Sequence, residues 1–438
     1  MLLIKNCKVL VDGEFLERSI LVGNDGKISK IAVGSALKSA DADEVVDAAG
    51  KHALPGLIDV HVHCREPGLE WKEDFRTASR GAAAGGVTTI FDMPNTKPAT
   101  TTVALLEEKR KLAAAKCIVN YGLYMGAAAD NSSKLSKAKN IAGVKLYMGS
   151  TTGDLAVTDE STIKKVFRSG KIVVVHAEDE RLMRENMEKY KGQGSPEIHA
   201  KIRNSEVAAR AVKEAIRLAG GCKIKRLHIT HSSTNEELLL IREAKKKMPL
   251  SCDATPHHLF LTSEELKTQG NFAKMNPPLR SKADVESLWQ AVSNGTVDCI
   301  ATDHAPHTKE EKEQGYWEAP SGVPGLQTML PLLLDAVNKG RLSLQKLARL
   351  TAENPAALFG VKGKGRLDAG MDADIAIVDM REWKTIKNDD MLTKCGWTPF
   401  DGRKAKGAVA VTVVNGNVIY SGGEIIEEKI KGMEAVFE

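Results

Sequence analysis

The middle of the chain alternates between short apolar runs rich in β-branched residues and longer segments whose apolar residues recur every three or four positions. The runs are typical of buried strands, and the intervening spacing is typical of amphipathic helices. This α/β alternation predicts a parallel sheet, and eight units in about 300 residues predict a closed (β/α)8 TIM-type barrel. The runs predicted as strands are 57–63, 88–93, 117–125, 143–148, 171–176, 226–231, 250–254 and 297–302.

The main alternative is an open doubly wound sheet. Such a sheet would carry a glycine-rich phosphate-binding turn after its first strand, and the segment "HCREPG" that follows the first run here has no such turn. The pattern therefore favours the barrel.

The two chain ends have a different pattern. Segments such as "LLIKNCKVLV" and "VAVTVVNGNVIYSGG" alternate apolar and polar residues, and Asp-Gly and Asn-Gly pairs predict hairpin turns. Because chain termini often lie close together, strands from both ends can share one unit. We predict a barrel over residues 54–361 and a small composite β-sandwich domain from residues 1–53 and 362–438.

Composition narrows the class of protein. The 438 residues carry a net charge of +5 that is spread along the chain, with no basic block that would indicate nucleic-acid binding. No apolar run reaches the roughly 18 residues of a membrane span. The seven cysteines are scattered without a CxxC pair, which argues against a disulfide scaffold or a zinc knuckle and favours a cytoplasmic protein.

Chemically active side chains stand at the ends of the predicted strands. His61 and His63 end the first run, His176 and His231 end two others, and Asp303 follows the last. Residues i and i+2 of a strand share a face, so His61 and His63 can point into the same barrel mouth. A lone His-x-His pair is usually accidental, but four histidines and an aspartate on one predicted rim indicate a metal site.

Lys145 belongs to the same rim, in the fourth run. Nearby metal ions would lower the pKa of its amine, and a neutral amine can add CO2 to form a carbamate that bridges two ions. From the residues alone the simpler alternative is favoured, namely a lysine that pairs with a carboxylate or extends its ammonium to solvent.

The motifs resemble the metal-dependent amidohydrolase superfamily and, within it, the dihydroorotases. The resemblance covers nearly the whole chain, with the motifs in order along the barrel strands. It rests on the segments "DVHVHCREPG", "GGVTTIFDMPNT", "GVKLYMGS", "HITHSS", "MNPPLR" and "IATDHAPH". Hydantoinases and allantoinases share single motifs, whereas Arg65 and the asparagine of "MPNT" are typical of dihydroorotases.

The resemblance implies a site with two zinc ions per subunit. The residues implied as metal ligands are His61, His63 and Asp303 for the first zinc, His176 and His231 for the second, and a CO2-derived carbamate on Lys145 as the bridge. The residues implied to bind substrate are Arg65, Asn95 and His307 for a carboxylate, and Asn276 with the backbone of Ser321 and Gly322 for the ring amides. For Arg65 the alternative is a surface salt bridge with Glu66.

The implied enzyme is a hydrolase acting on cyclic amides, which interconverts N-carbamoyl-L-aspartate and L-dihydroorotate in de novo pyrimidine biosynthesis. Asp303 would take a proton from the attacking water and deliver it to the ring nitrogen. A homo-oligomer and an association with aspartate transcarbamoylase are further expectations. Two other functions stay open: an allantoinase or hydantoinase with the same metal site, and a silent scaffold for aspartate transcarbamoylase.

The loop after Asp303, "HTKEEKEQGYWEAPSGVPG", is long, charged and glycine-bearing. Long loops on barrels are often lids. We predict a lid role only for residues 321–325, because the "KEEKEQ" stretch is nearly as well explained as a solvated surface segment.

Overall fold

The computed structural model describes residues 1–11, 13–37, 42–150, 155–426 and 431–438. Its strands are β1 (Leu2–Val11), β2 (Glu14–Val22), β3 (Ile28–Ala32), β4 (Glu44–Asp47), β5 (His52–Pro55), β6 (Leu57–Val62), β7 (Val87–Asp92), β8 (Asn120–Gly126), β9 (Gly143–Tyr147), β10 (Ile172–His176), β11 (Arg226–Ile229), β12 (Leu250–Ala254), β13 (Cys299–Ile300), β14 (Ile375–Thr385), β15 (Lys404–Val414), β16 (Asn417–Ser421) and β17 (Glu424–Ile425).

The α-helices mostly follow the barrel strands. They are α1 (Phe75–Ala84), α2 (Val103–Lys116), α3 (Glu160–Phe167), α4 (Glu180–Lys189), α5 (Ile198–Ile202), α6 (Ser205–Gly220), α7 (Asn235–Lys245), α8 (Pro256–Phe260), α9 (Glu265–Gln269), α10 (Lys282–Asn294), α11 (Lys309–Lys312), α12 (Met329–Asn338), α13 (Leu344–Ala348) and α14 (Asn354–Phe359). Single 3₁₀ turns lie at Gly34–Ala36, Leu135–Lys137, Gly270–Ala273 and Asn388–Asp390, and a π-helical turn lies at Arg349–Glu353.

Strands β6 to β13 form one eight-stranded parallel sheet in sequence order. The sheet closes between its first and last strands, because the His63 N–H donates to the His304 carbonyl at 2.8 Å. The Asp59 carboxylate also accepts from the Thr302 N–H at 3.1 Å. The predicted barrel is confirmed. Its last strand is shorter than predicted, since the Asp59 side chain replaces the neighbouring strand as the partner of Thr302.

The local sequence explains these elements. The barrel strands are buried on both faces, which is why they are continuous apolar runs rather than alternating ones. Helices begin at polar capping residues: the Thr234 hydroxyl accepts from the Glu237 N–H, and the Glu237 side chain reaches back to the backbone of Thr234.

The two chain ends share a nine-stranded mixed sheet. Strand β14 pairs antiparallel with β5, so that Ala376 lies opposite Leu54, and this pairing joins the two terminal segments as expected. The last residues return to the barrel, where the Met433 carbonyl accepts from the Tyr121 N–H at 3.0 Å. The proposed domain boundaries at residues 53 and 361 stay a prediction. Among the described helices, none is both long and apolar enough to cross a membrane.

Candidate active site

One pocket opens at the carboxyl ends of the barrel strands. It is lined by His61, His63, Arg65, Asn95, Lys145, Tyr147, His176, His231, Asn276, Asp303, Ala305, Ser321 and Gly322. Every residue proposed from the sequence lines this pocket except His307. The chain therefore brings these side chains together, whereas their individual roles stay predictions.

The first half of the pocket is a cluster of His61, His63 and Asp303. The Nε2 atoms of the two histidines lie 3.2 and 3.1 Å from the same Asp303 oxygen, Oδ1. These three residues can offer one ligand atom each within 4.8 Å of one another. Burial lowers the pKa of both imidazoles well below the usual value, so both rings are neutral and keep a lone pair.

The second half of the pocket contains His176, His231 and Lys145. His176 Nδ1 lies 2.9 Å from His231 Nε2. Lys145 is fully buried, with its Nζ 3.5 Å from the Thr230 hydroxyl. Burial lowers the pKa of this amine, although the Asp303 carboxylate opposes the shift. Lys145 therefore does not extend to solvent, and it makes no ion pair with a carboxylate of the described residues.

Hydrogen bonds behind the cluster decide which ring nitrogens face it. Asn95 Oδ1 lies 2.7 Å from His63 Nδ1, so this nitrogen carries the hydrogen and the Nε2 lone pair points at Asp303. Glu178 Oε2 lies 2.9 Å from His176 Nε2, so the Nδ1 lone pair faces the pocket. Lone pairs aimed at a carboxylate repel it unless a cation lies between them. The donor set therefore fits divalent metal ions, for which neutral imidazole and carboxylate are ordinary ligands.

The strand ends turn sharply to present these groups. Arg65, His231 and Asp303 have left-handed backbones with φ of 61°, 41° and 46°. Such residues cost about 1 kcal/mol or more and persist where the surroundings hold them. Buried carboxylates do so here: Asp253 accepts from the His231 N–H at 2.6 Å, and Asp92 accepts at 2.7 Å from the N–H of the residue before Arg65.

Arg65 is a buried cation beside the cluster of His61, His63 and Asp303. Its side chain is 1% exposed, and its Nε donates to the Pro306 carbonyl at 3.2 Å. Its Nη1 has no hydrogen-bond partner among the described residues. Glu66 pairs with Lys116 instead. The alternative of a surface salt bridge between Arg65 and Glu66 is therefore wrong.

His307 lies behind Arg65 rather than on the pocket wall. Its Nε2 is 3.2 Å from Arg65 Nη2. The Lys72 ammonium donates to His307 Nδ1 at 3.0 Å, so the ring hydrogen is on Nε2, which donates to the Ser321 carbonyl at 3.0 Å. His307 thus holds Ser321 by a hydrogen bond, whereas in this tautomer it only packs against Arg65 Nη2. A direct contact between His307 and a bound carboxylate stays a prediction.

The opposite wall is built from two loop segments. Asn276 Oδ1 accepts from His199 Nε2 at 2.9 Å, and the Gly322 N–H donates to the Lys274 carbonyl at 2.9 Å. Gly322 has φ of 143°, and an added Cβ would lie 2.4 Å from the Ala305 carbonyl oxygen. Only glycine fits this position, because any side chain would displace the wall.

Two polar residues of the site were missed in the sequence. Tyr147 lines the pocket, and its buried hydroxyl has no hydrogen-bond partner among the described residues. Glu178 is fully buried and contacts both His176 and Arg203. The signal for Tyr147 was its spacing, since it lies two residues beyond Lys145 in the same strand and residues i and i+2 of a strand share a face. Glu178 lies beyond the end of β10, so strand spacing gave no signal for it.

Comparisons with known proteins agree with this geometry. The model of the amidohydrolase family matches residues 52–419. A dihydroorotase of Methanosarcina acetivorans is 40% identical over 416 residues, which cover 92% of this chain and 88% of the relative. A dihydroorotase of Methanothermobacter thermautotrophicus is 37% identical over 433 residues, 97% of this chain and 95% of the relative. The structure of an L-hydantoinase (dihydropyrimidinase) from Arthrobacter aurescens superposes with a TM-score of 0.94 at 31% identity and covers 99% of both chains.

Proposed function

The chain belongs to the amidohydrolase family, and we propose that it is the enzyme that opens and closes the ring of L-dihydroorotate, with N-carbamoyl-L-aspartate as the open form. This is a hydrolase reaction on a cyclic amide and a step of pyrimidine biosynthesis. The dihydroorotase relatives at up to 40% identity support the reaction.

One observation carries the choice of substrate. Arg65 is a buried guanidinium on the wall of the metal-binding pocket, and its Nη1 has no hydrogen-bond partner among the described residues. A buried, incompletely paired cation is costly unless the ligand supplies an anion. Dihydroorotate carries a carboxylate next to the reacting ring, whereas hydantoin and dihydrouracil do not. Two parallel hydrogen bonds from a guanidinium would fix both the charge and the orientation of that group.

Two zinc ions per subunit fit the donor set of the pocket. The residues that would hold them are His61, His63 and Asp303 for one ion, His176 and His231 for the other, and a carbamylated Lys145 between them. When bound, such ions lower the pKa of water toward about 7 and polarise an amide carbonyl. The burial of Lys145 favours the carbamate, because burial lowers the amine's pKa and CO2 adds only to a neutral amine.

The chain's own residues account for the other parts of the reaction. Asp303 Oδ1 sits at the centre of the first cluster, where it can accept the proton of the nucleophile and return it to the leaving ring nitrogen. Arg65 and Asn95 hold the carboxylate side of the ring. Asn276 and the Ser321–Gly322 backbone hold the amide side. A cytoplasmic location, a homo-oligomer and association with aspartate transcarbamoylase remain part of the proposal.

The test is a substrate panel with metal analysis. We expect purified protein to retain zinc after dialysis and to open dihydroorotate, and not hydantoin or allantoin, at an appreciable rate. Activity confined to hydantoin or allantoin would replace the proposed substrate. Protein that retains no metal and opens none of the rings would indicate a scaffold. The carbamate is tested by a ¹³C resonance after incubation with labelled bicarbonate, which Lys145→Gln should abolish.

A further inference from the structure

Lys312 is a buried lysine in a charged stretch of sequence that is otherwise typical of an exposed surface. It lies in the "KEEKEQ" stretch, yet it is 1% exposed. The reason is local: Thr308 and Glu311 form a capping box that folds Lys309–Lys312 into the short helix α11. This turn directs Lys312 inward. The solvated-surface interpretation is therefore wrong for this residue.

The Lys312 ammonium uses all of its hydrogens on main-chain oxygens. Its Nζ donates to the carbonyls of Lys274, Pro320 and Gly322 at 3.0, 2.9 and 3.0 Å. No carboxylate of the described residues forms an ion pair with it. The Trp397 ring covers the group, with its centroid 5.7 Å from Nζ. Burial and the nearby Lys274 and Lys72 lower the pKa of this amine well below its usual value. The three carbonyl acceptors favour the protonated form, because only an ammonium has three N–H donors.

The three carbonyls flank the amide-binding wall of the pocket. Pro320 and Gly322 are the neighbours of Ser321, and Lys274 lies two residues before Asn276. The Lys274 carbonyl also accepts from the Gly322 N–H at 2.9 Å, so the two segments share one acceptor. One ammonium therefore joins the two segments that hold the ring amides in the proposed function.

The amide-binding wall is closely packed at Gly322, which limits how far its backbone can shift. Gly322 already approaches the Ala305 carbonyl so closely that an added Cβ would lie 2.4 Å away. If Lys312 were lost, the Pro320 and Gly322 carbonyls would be left without a donor. The Lys274 carbonyl would keep only the Gly322 N–H, so a single hydrogen bond would then hold the two segments together at this point.

We propose that Lys312 is a positioning residue for the cyclic amide, which fixes the spacing between Asn276 and the Ser321–Gly322 backbone. The residue does not touch the metal cluster and acts through these two segments. The inference rests on the proposed function, since it assigns the wall to the ring amides.

The experiment compares Lys312→Met, Lys312→Gln and a matched control, Lys364→Met. Lys364 is also buried, but it pairs with Asp372 and Asp374 at 3.0 and 2.6 Å and does not line the pocket. We expect Lys312→Met to raise KM and lower kcat/KM for dihydroorotate by about tenfold or more, as for the loss of one or more buried bonds. Lys312→Gln keeps two N–H donors and should lie between Lys312→Met and the wild type. Lys364→Met should lower Tm and leave KM within about twofold.

Bound metal, measured in each variant, should stay unchanged, which separates positioning from damage to the cluster. A folded Lys312→Met with wild-type KM and kcat/KM would overturn the proposal, and so would an equal KM increase in Lys364→Met. If the Met variant does not fold, the Gln variant decides in the same way. If the wild type opens hydantoin and not dihydroorotate, the proposed substrate fails, and the same KM comparison on hydantoin still tests Lys312.

Discussion

Replacement of Arg65 by methionine tests the choice of substrate most directly. Methionine keeps much of the apolar length of the side chain and removes the guanidinium. In the structure Nε is used by the Pro306 carbonyl and Nη2 faces His307, whereas Nη1 has no hydrogen-bond partner among the described residues. A carboxylate bound through two parallel bonds would engage Nη1 and one further N–H of the same guanidinium.

The size of the effect follows from these two bonds. A hydrogen bond to a charged group contributes about 1.5–3 kcal/mol, so the loss of two costs about 3–6 kcal/mol. At about 1.4 kcal/mol for each factor of ten, kcat/KM for dihydroorotate should fall roughly 10²- to 10⁴-fold. Arg65→Lys keeps the charge without the planar fork and should lose less activity than Arg65→Met.

The assay compares two substrates in steady state. Dihydrouracil is the same ring without the carboxylate, so its kcat/KM should change by no more than about threefold in Arg65→Met, which is within the usual scatter of mutational effects. The ratio of kcat/KM for dihydroorotate to kcat/KM for dihydrouracil should therefore fall by nearly the full loss expected for dihydroorotate. An equal loss on both substrates, or a loss of bound metal in the variant, would refute the reasoning, because Arg65 would then act through the fold or the cluster.

Three further predictions concern the same pocket. Tyr147→Phe should lower kcat/KM about fivefold, because the substrate would lose a hydrogen bond of about 1 kcal/mol to the buried hydroxyl. In the control variant Tyr124→Phe, the lost hydroxyl donates to the Val60 carbonyl at 2.8 Å, so Tm should change and KM should not. Unchanged kcat/KM in Tyr147→Phe would exclude a hydrogen bond between Tyr147 and the substrate. Glu178→Gln should weaken metal binding about 10- to 100-fold in a chelator competition, because Glu178 Oε2 fixes the ring hydrogen of His176; wild-type affinity would contradict this role. Ring closure takes up a proton, so the equilibrium ratio of dihydroorotate to N-carbamoyl-aspartate should fall about tenfold for each unit by which the pH rises, as long as both carboxylates of N-carbamoyl-aspartate are ionised. Chromatography that finds a ratio independent of pH would rule out the proposed reaction.

Much of the fold was predictable because it depends on local periodicity. The apolar runs of the barrel strands and the helix-spaced segments between them are properties of neighbouring residues. All eight predicted runs contain barrel strands, with ends that differ by a few residues. The exception in length is β13, which contains only Cys299–Ile300. Beyond β13, the Thr302 N–H donates to the Asp59 side chain instead of to a neighbouring strand. A side-chain bond between residues 243 positions apart leaves no periodic signal in the sequence.

The site was predictable only where strand geometry carries it. His61, His63, His176 and His231 line one pocket because the carboxyl ends of parallel strands meet at one rim, whereas their roles as metal ligands stay predictions. The placement of His307 behind Arg65 was not predictable, since it depends on a loop that folds back against Lys72.

Lys312 shows most clearly what the tertiary structure alone decides. A lysine among glutamates is compatible with solvent exposure and with burial, because its ammonium can be satisfied by water or by carbonyl oxygens. The choice depends on the Lys274 carbonyl, 38 residues away, and on the Pro320 and Gly322 carbonyls of the returning loop. Periodicity along the chain determines strands, helices and the rim where they end. Which polar groups meet across long separations is determined only when the packed chain excludes water from them.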